Sequence, residues 1–218
     1  MIDRIAAALG RVLLACAAAC GAVEVPSPRT WRLAEIEGLR IERAAPHVVR
    51  VQDLRLAAHL SPDHLMVADG PLLLRAHELE QWAGPLDRML TDVVISALRR
   101  AGAFADVKAG HDVGREDLWL SGTITDFCCA ATPGGGKARV GLFLQLRRAS
   151  DHALLLGREL KVETPLAERG AAAAVAGLGV ALRTALAEWL ARCADLPDDL
   201  VLPLERVPSG LAAPPGGR

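Results

Sequence analysis

Leu86, Met89, Leu90, Val93, Val94, Ala97 and Leu98 recur at the i, i+3, i+4, i+7 spacing of one helical face. Such a stripe must be buried, so this stretch commits the chain to a helix docked on an apolar surface supplied from elsewhere. The flanking residues agree. Gly84 and Pro85 precede the stripe, where a missing N–H leaves no intrahelical bond unmade. Asp87 falls in the first turn and Arg99 and Arg100 in the last, complementing the helix dipole, and Gly102 follows as a stop. The whole of residues 82–107 reads as a helix that delivers the chain into a strand at 104–107.

The docking surface is written in alternation. Residues 47–56, 65–67 and 72–75 are apolar runs separated by turns at 60–63 and 69–71, and read as three short strands, the last two paired as a hairpin. Residues 31–41 hold a further candidate edge strand. After the helix, Leu118, Leu120 and Ile124 share one face of a strand over 118–127, and Val140, Leu142, Leu144 and Leu146 alternate strictly over 139–147. Leu154, Leu156, Leu160 and Val162 continue the pattern, so the three segments form an antiparallel meander. Residues 170–193 predict a second long helix, with Val175, Leu178, Leu182, Ala185, Leu186, Trp189 and Leu190 in one stripe. Gly177 and Gly179 each lower its intrinsic stability by about 1 kcal/mol. Strands, helix, strands, helix predict an α+β fold: an antiparallel sheet with two long helices packed on one face.

Composition narrows the function. The 218 residues are 51% apolar but only 3% aromatic, without a tyrosine, so the core is one of Leu, Val and Ala with few platforms for stacking bases or sugars. A net charge of −1 and no block of five like charges argue against nucleic acid as a partner.

The N-terminus has the layout of an export signal: Arg4 and Arg11, then a short apolar run at 12–19, then small residues before a cysteine. That run is far shorter than the roughly 20 residues needed to span a bilayer. The pattern resembles a bacterial lipoprotein signal, with Cys20 as the lipidated residue and Cys16 as the alternative. The organisation expected is a signal peptide at 1–20, a linker at 21–29, one domain at 30–194 and a Pro/Gly-rich disordered tail at 195–218. Cys128, Cys129 and Cys193 read as small buried hydrophobes rather than as a disulfide, the first two on opposite faces of a strand.

Catalytic motifs are missing from the sequence: there is no G-x-S-x-G, HExxH or dinucleotide-binding glycine pattern. Gly134-Gly135-Gly136-Lys137 is followed by Ala138 and a strand rather than by Ser or Thr and a helix, so it is a hairpin tip and not a phosphate loop. His59 and His64 are poorly spaced for a metal. Asp63, Asp69, Asp112, Asp117 and Asp126 sit at turns and strand ends, where aspartate makes local hydrogen bonds. The expectation is a protein that is not an enzyme and needs no cofactor or metal.

Several of these features together resemble the ABC-type transport auxiliary lipoprotein (PqiC-like) family: Leu60-Ser61-Pro62-Asp63-His64-Leu65-Met66-Val67, Trp82-Ala83, Pro85-Leu86 and the helix, Gly102 to Val107, Leu120, Asp126-Phe127, and the last helix ending near Trp189. The resemblance covers about residues 30–193 and the anchor segment. It implies a non-catalytic outer-membrane lipoprotein facing the periplasm, working with an MCE-domain protein and ABC permease and ATPase subunits to move phospholipid or other hydrophobic molecules. The membrane would be held through the lipid anchor, and a homo-oligomer is compatible. It makes Trp82, Pro85, Phe104, Asp126, Phe127 and Trp189 the candidates for partner docking or for the fold. The layout is also similar to that of structural outer-membrane assembly lipoproteins, which makes support of a β-barrel partner the alternative.

Overall fold

The computed structural model describes residues 26–197 apart from 42, 71, 133 and 134. The expected signal peptide, Cys16 and Cys20, most of the linker and nearly all of the tail lie outside the described residues.

One long strand organises the sheet. β7 (Leu118–Thr132) pairs along its whole length with β8 (Gly135–Arg148), which in turn pairs with β9 (Leu154–Pro165), both antiparallel. Its other edge is shared in succession by three short parallel strands: β2 (Ala45–Val51) at 118–120, β3 (Arg55–Leu56) at Thr123 and Ile124, and β4 (His64–Asp69) at 128–130. Two wings hang from these. β6 (Phe104–Ala109) lies parallel to β2, while β5 (Leu73–Trp82) lies antiparallel to β4 and carries β1 (Arg29–Trp31) parallel to itself.

The sheet is therefore mixed, which corrects the expectation of a purely antiparallel one. The expected meander is β7–β8–β9 and the expected hairpin is β4–β5. The parallel pairs arise because the segments between β2, β3 and β4 advance along β7 without reversing, and because the first helix returns the chain from β5 to β6 in β2's direction. Alternation marks a strand but carries no sign of its direction. The candidate edge strand expected at 31–41 is not formed: β1 ends at Trp31, and residues 32–41 carry no strand.

α1 (Leu86–Ala101) starts after Pro85, whose carbonyl accepts the Met89 N–H at 3.0 Å. It stops at Gly102, whose φ of 63° is the left-handed conformation that glycine adopts without a Cβ penalty. It packs on β3 and β6. Leu86, Leu90, Val94, Ala97 and Leu98 are buried as expected, but the buried arc is rotated: Thr91 and Ile95 join it and Met89 and Val93 are only half-buried. Thr91 earns its place by hydrogen bonding, since its hydroxyl accepts from the Leu54 N–H at 3.0 Å and donates to the Asp87 carbonyl at 2.8 Å.

α2 (Ala171–Cys193) packs on β7, β8 and β9, and every residue of its predicted stripe is buried. Length and composition alone would let it cross a membrane, but its stripe is spent on the sheet. The two glycines within it differ. A Cβ on Gly177 would lie 2.5 Å from Leu166 Cδ2 and 3.1 Å from the Ala138 Cβ, whereas a Cβ on Gly179 meets nothing within 4 Å. Gly177 lets the helix approach β8 closely; Gly179 has no such task.

The strand directions give the molecule two distinct ends. At one lie the β4–β5 and β7–β8 connections, the C-terminus of β9 and the start of α2, and the chain enters β1 from this side. At the other, the end of α2 and Pro197 lie beside Ala45, His47, Phe104 and Leu118.

Gly179→Ala should raise the stability of the domain by up to about 1 kcal/mol, a few degrees in Tm. Gly177→Ala should give none of this gain or reverse it. Thermal unfolding of the two variants checks both.

Candidate functional site

The first strand among the described residues, β1, is only three residues long, too short to hold by backbone pairing alone. Side chains pin it. Glu80, 1% exposed, accepts hydrogen bonds from Arg29 Nη2 and, at 2.5 Å, from Trp31 Nε1, and the Arg29 guanidinium lies 5.9 Å from the Trp31 ring centroid. The Trp31 carbonyl also accepts from the Ala83 N–H at 2.7 Å. Burial opposes the charge on Glu80, but the Arg29 and Trp31 hydrogen bonds outweigh it and hold the carboxyl below its ordinary value.

Next to this pin a cleft of about 570 Å³ opens between β4–β5, the β7–β8 end and the N-terminus of α2. Its volume is that of a small-molecule site. The walls are apolar, from Leu65, Val67, Cys129, Ala130, Leu166 and Ala174, and Arg29, His77, Arg169 and the acid Glu80 also line it. Gly170, with φ 122°, precedes α2 without a side-chain cap, and with Ala171 it lines the cleft. An apolar interior with the Arg169 guanidinium beside it, and the Arg29 guanidinium shared with Glu80, suits an amphiphile with an acidic head: the interior takes the chain and the head meets the guanidinium donors.

The family model described as the ABC-type transport auxiliary lipoprotein component matches residues 36–189. The chain belongs to this family. Its fold is also that of the crystal structure of protein XCC0632 from Xanthomonas campestris, at 22% identity and a TM-score of 0.60, over 76% of this chain and 91% of that one. A crystal structure of a further uncharacterised protein superposes at a TM-score of 0.60 and 15% identity, over 77% of this chain and 98% of the other. No curated protein sequence matches.

Within this auxiliary lipoprotein component the residues singled out in the sequence fall into two groups. Trp82 packs on Phe127, ring centroids 5.8 Å apart, and Phe104 on Trp189 at 6.5 Å; all four are buried. Two residues reach the surface. Pro85, at the start of α1, is exposed, and Asp126, with its side chain about a third exposed, pairs with Arg139 at 3.1 Å. Of the turn aspartates, Asp112 acts locally, accepting from the Ala109 N–H at 2.8 Å, whereas Asp117 accepts from the distant Val48 N–H of β2 at 2.8 Å. Lys137 of the glycine run lies in β8 and pairs with Glu163 at 3.1 Å. His59 and His64 bond to different partners, the Thr125 carbonyl and Ser61.

Sequence reasoning missed the cleft and its pin. Arg29 falls on the last position of the expected linker, and Glu80 is one of two glutamates in Glu78-Leu79-Glu80-Gln81, where only the strand's pairing distinguishes the buried one.

At the opposite end, Arg50 organises the loop between β6 and β7. Its guanidinium donates to the carbonyls of Ala109, Gly110, Asp112 and Gly114 and, at 2.8 Å, to Glu116, which also accepts from Trp119 Nε1 at 2.8 Å. The Arg50 hydrogen bond leads in lowering the Glu116 pKa.

Cys128, Cys129 and Cys193 are free and buried. Burial pushes the thiols of Cys128 and Cys129 up to about 12, with Asp126 adding to the effect at Cys128, and raises Cys193 as well.

Two outcomes follow from these environments. Glu80→Gln should cost about 1–3 kcal/mol, as for a buried partner lost from charged hydrogen bonds. Because the folded pKa is depressed, the wild-type contribution is present above the ordinary value of 4.5 and fades as pH falls through the folded one; the variant's acid denaturation should lack that part of the slope. In the native protein at pH 8 the three thiols should resist iodoacetamide, because thiolate at Cys128 and Cys129 is depleted about a thousandfold relative to a pKa of 9. Peptide mapping should find them alkylated once the chain is unfolded.

Proposed function

We propose that the protein is a non-catalytic, lipid-anchored outer-membrane component of an MCE-type ABC transport system, moving phospholipid or other hydrophobic molecules across the periplasm. The observation that carries this reading is the cleft: an apolar interior flanked by Arg29, His77 and Arg169, at the end of the domain where the chain enters. In a transport auxiliary component, such a cleft would take the acyl part of a lipid while the guanidinium groups meet its phosphate. Cys20 would carry the anchor. ATP hydrolysis would belong to a separate ATPase subunit, and Asp126 with Pro85 offers surface that an MCE-domain partner can reach.

The test is purification of the full-length protein from native membranes after crosslinking, with mass spectrometry of its N-terminus and neighbours. A triacylated Cys20 with MCE-domain and permease peptides is the expected result. An unmodified N-terminus without any transporter subunit would overturn the proposal. Ala171→Trp, which narrows the cleft from the half-buried first position of α2, should reduce photocrosslinking to phospholipid severalfold while leaving thermal unfolding and partner crosslinks in place.

A further inference from the structure

Among the described residues few large apolar side chains stand free in solvent, and two of them adjoin. Leu72 is 97% exposed and Leu73 is 51% exposed, where β4 turns into β5. The tip lies at the same end of the sheet as the β7–β8 turn, and the charges nearest to it, Asp69 and Arg75, offset each other in a surface pair at 3.3 Å.

The position of this tip relative to the chain's entry gives it an occupant. β1 runs parallel to β5 with Arg29 beside Glu80, so the chain arrives from the direction of the tip. Glu80 is eight residues from Leu72, but β5 is bulged there and Leu73 to Gln81 spans only Asp69 to His64 of β4, so the separation is about 17 Å at the rise of a strand. From Arg29 back to Cys20 is nine residues, which reach at most about 30 Å when extended. A lipid on Cys20 therefore allows the bilayer to stand at the level of Leu72, and the cleft lies on that same side of the domain.

We infer that Leu72 and Leu73 form a second membrane contact, seating in the interface of the phospholipid leaflet that holds the anchor and turning the cleft towards the bilayer. This rests on the proposed lipidation of Cys20. One acyl-type attachment leaves a domain free to tumble about its linker; a second apolar contact on the same side fixes its orientation, and exposed leucines gain by leaving water for the interface. The Arg50-bound loop at the other end of the domain, with Val113 97% exposed, then faces away from the membrane.

The experiment uses full-length lipidated protein in vesicles of phosphatidylethanolamine and phosphatidylglycerol containing spin-labelled lipid. A bimane fluorophore is attached to Leu73→Cys or, for comparison, to Val113→Cys; the native thiols are buried and stay unlabelled. Quenching at 73 should exceed that at 113 severalfold, and adding Leu72→Asp, at a position already in solvent, should bring it down to the level at 113. Equal quenching at both sites, or no effect of Leu72→Asp, in protein that still floats with vesicles overturns the contact and leaves the anchor standing. Failure to float overturns anchor and contact together. Shielding at 73 that rises with protein concentration and ignores the lipid would assign the tip to a second copy, and also overturns the inference.

Discussion

β7 spends its two edges differently, and most of the architecture depends on that division. One edge is paired continuously with β8 from Leu118 to Thr132, while the other is parcelled among three short strands. None of the short strands could hold register alone. Each is fixed because its N–H and carbonyl groups meet a strand that is already immobilised by its other partner, and an unpaired buried backbone group is costly. The register shift between Ile124 and Asp126 falls between the stretches taken by β3 and β4, so the twist introduced there separates the β4–β5–β1 wing from the β2–β6 wing. The cleft lies at the first of these wings and the Arg50 loop at the second.

The proposed anchor and the cleft meet at β1. Three residues could fray, but Glu80 holds the strand through both Arg29 and Trp31. Arg29 also lines the cleft, so the residue that attaches the N-terminal strand is the residue that an acidic head group would meet. A pull on the N-terminal segment and a ligand in the cleft therefore act on the same guanidinium. That coupling needs no moving part, only competition between Glu80 and a second acid for one cation.

The helices and most strands were legible in the sequence because their signals are local. Apolar spacing, a proline at the start and a glycine at the stop located α1 to within a residue, and the stripe from Val175 to Leu190 located α2. What escaped was set by distant partners. Thr91 reads as a polar residue on a helix, and only the Leu54 N–H explains its burial. Gly177 and Gly179 look alike in the chain, and only Leu166 and Ala138 separate them. Strand direction, and with it the mixed sheet, depends on whether each connection reverses or advances, which alternation does not encode. The cleft is assembled from five separate segments, and its polar members are common residue types in unremarkable contexts. The family motifs fared differently: the aromatic ones, Trp82 with Phe127 and Phe104 with Trp189, are where packing is densest in large rings, while Asp126 lies at the surface.

α2 runs 23 residues, roughly 34 Å at the rise of an α-helix. It begins at the cleft and finishes beside the first residue of β7, with the close fit at Gly177 locking it to β8. The body between its two ends has no hinge: a continuous helix lies on three strands that are hydrogen-bonded end to end. Mechanically the domain is a strut. Whatever binds near Pro197 is held at a set gap from whatever holds the cleft end, so partners at the two ends would sense each other through spacing rather than through a change of shape.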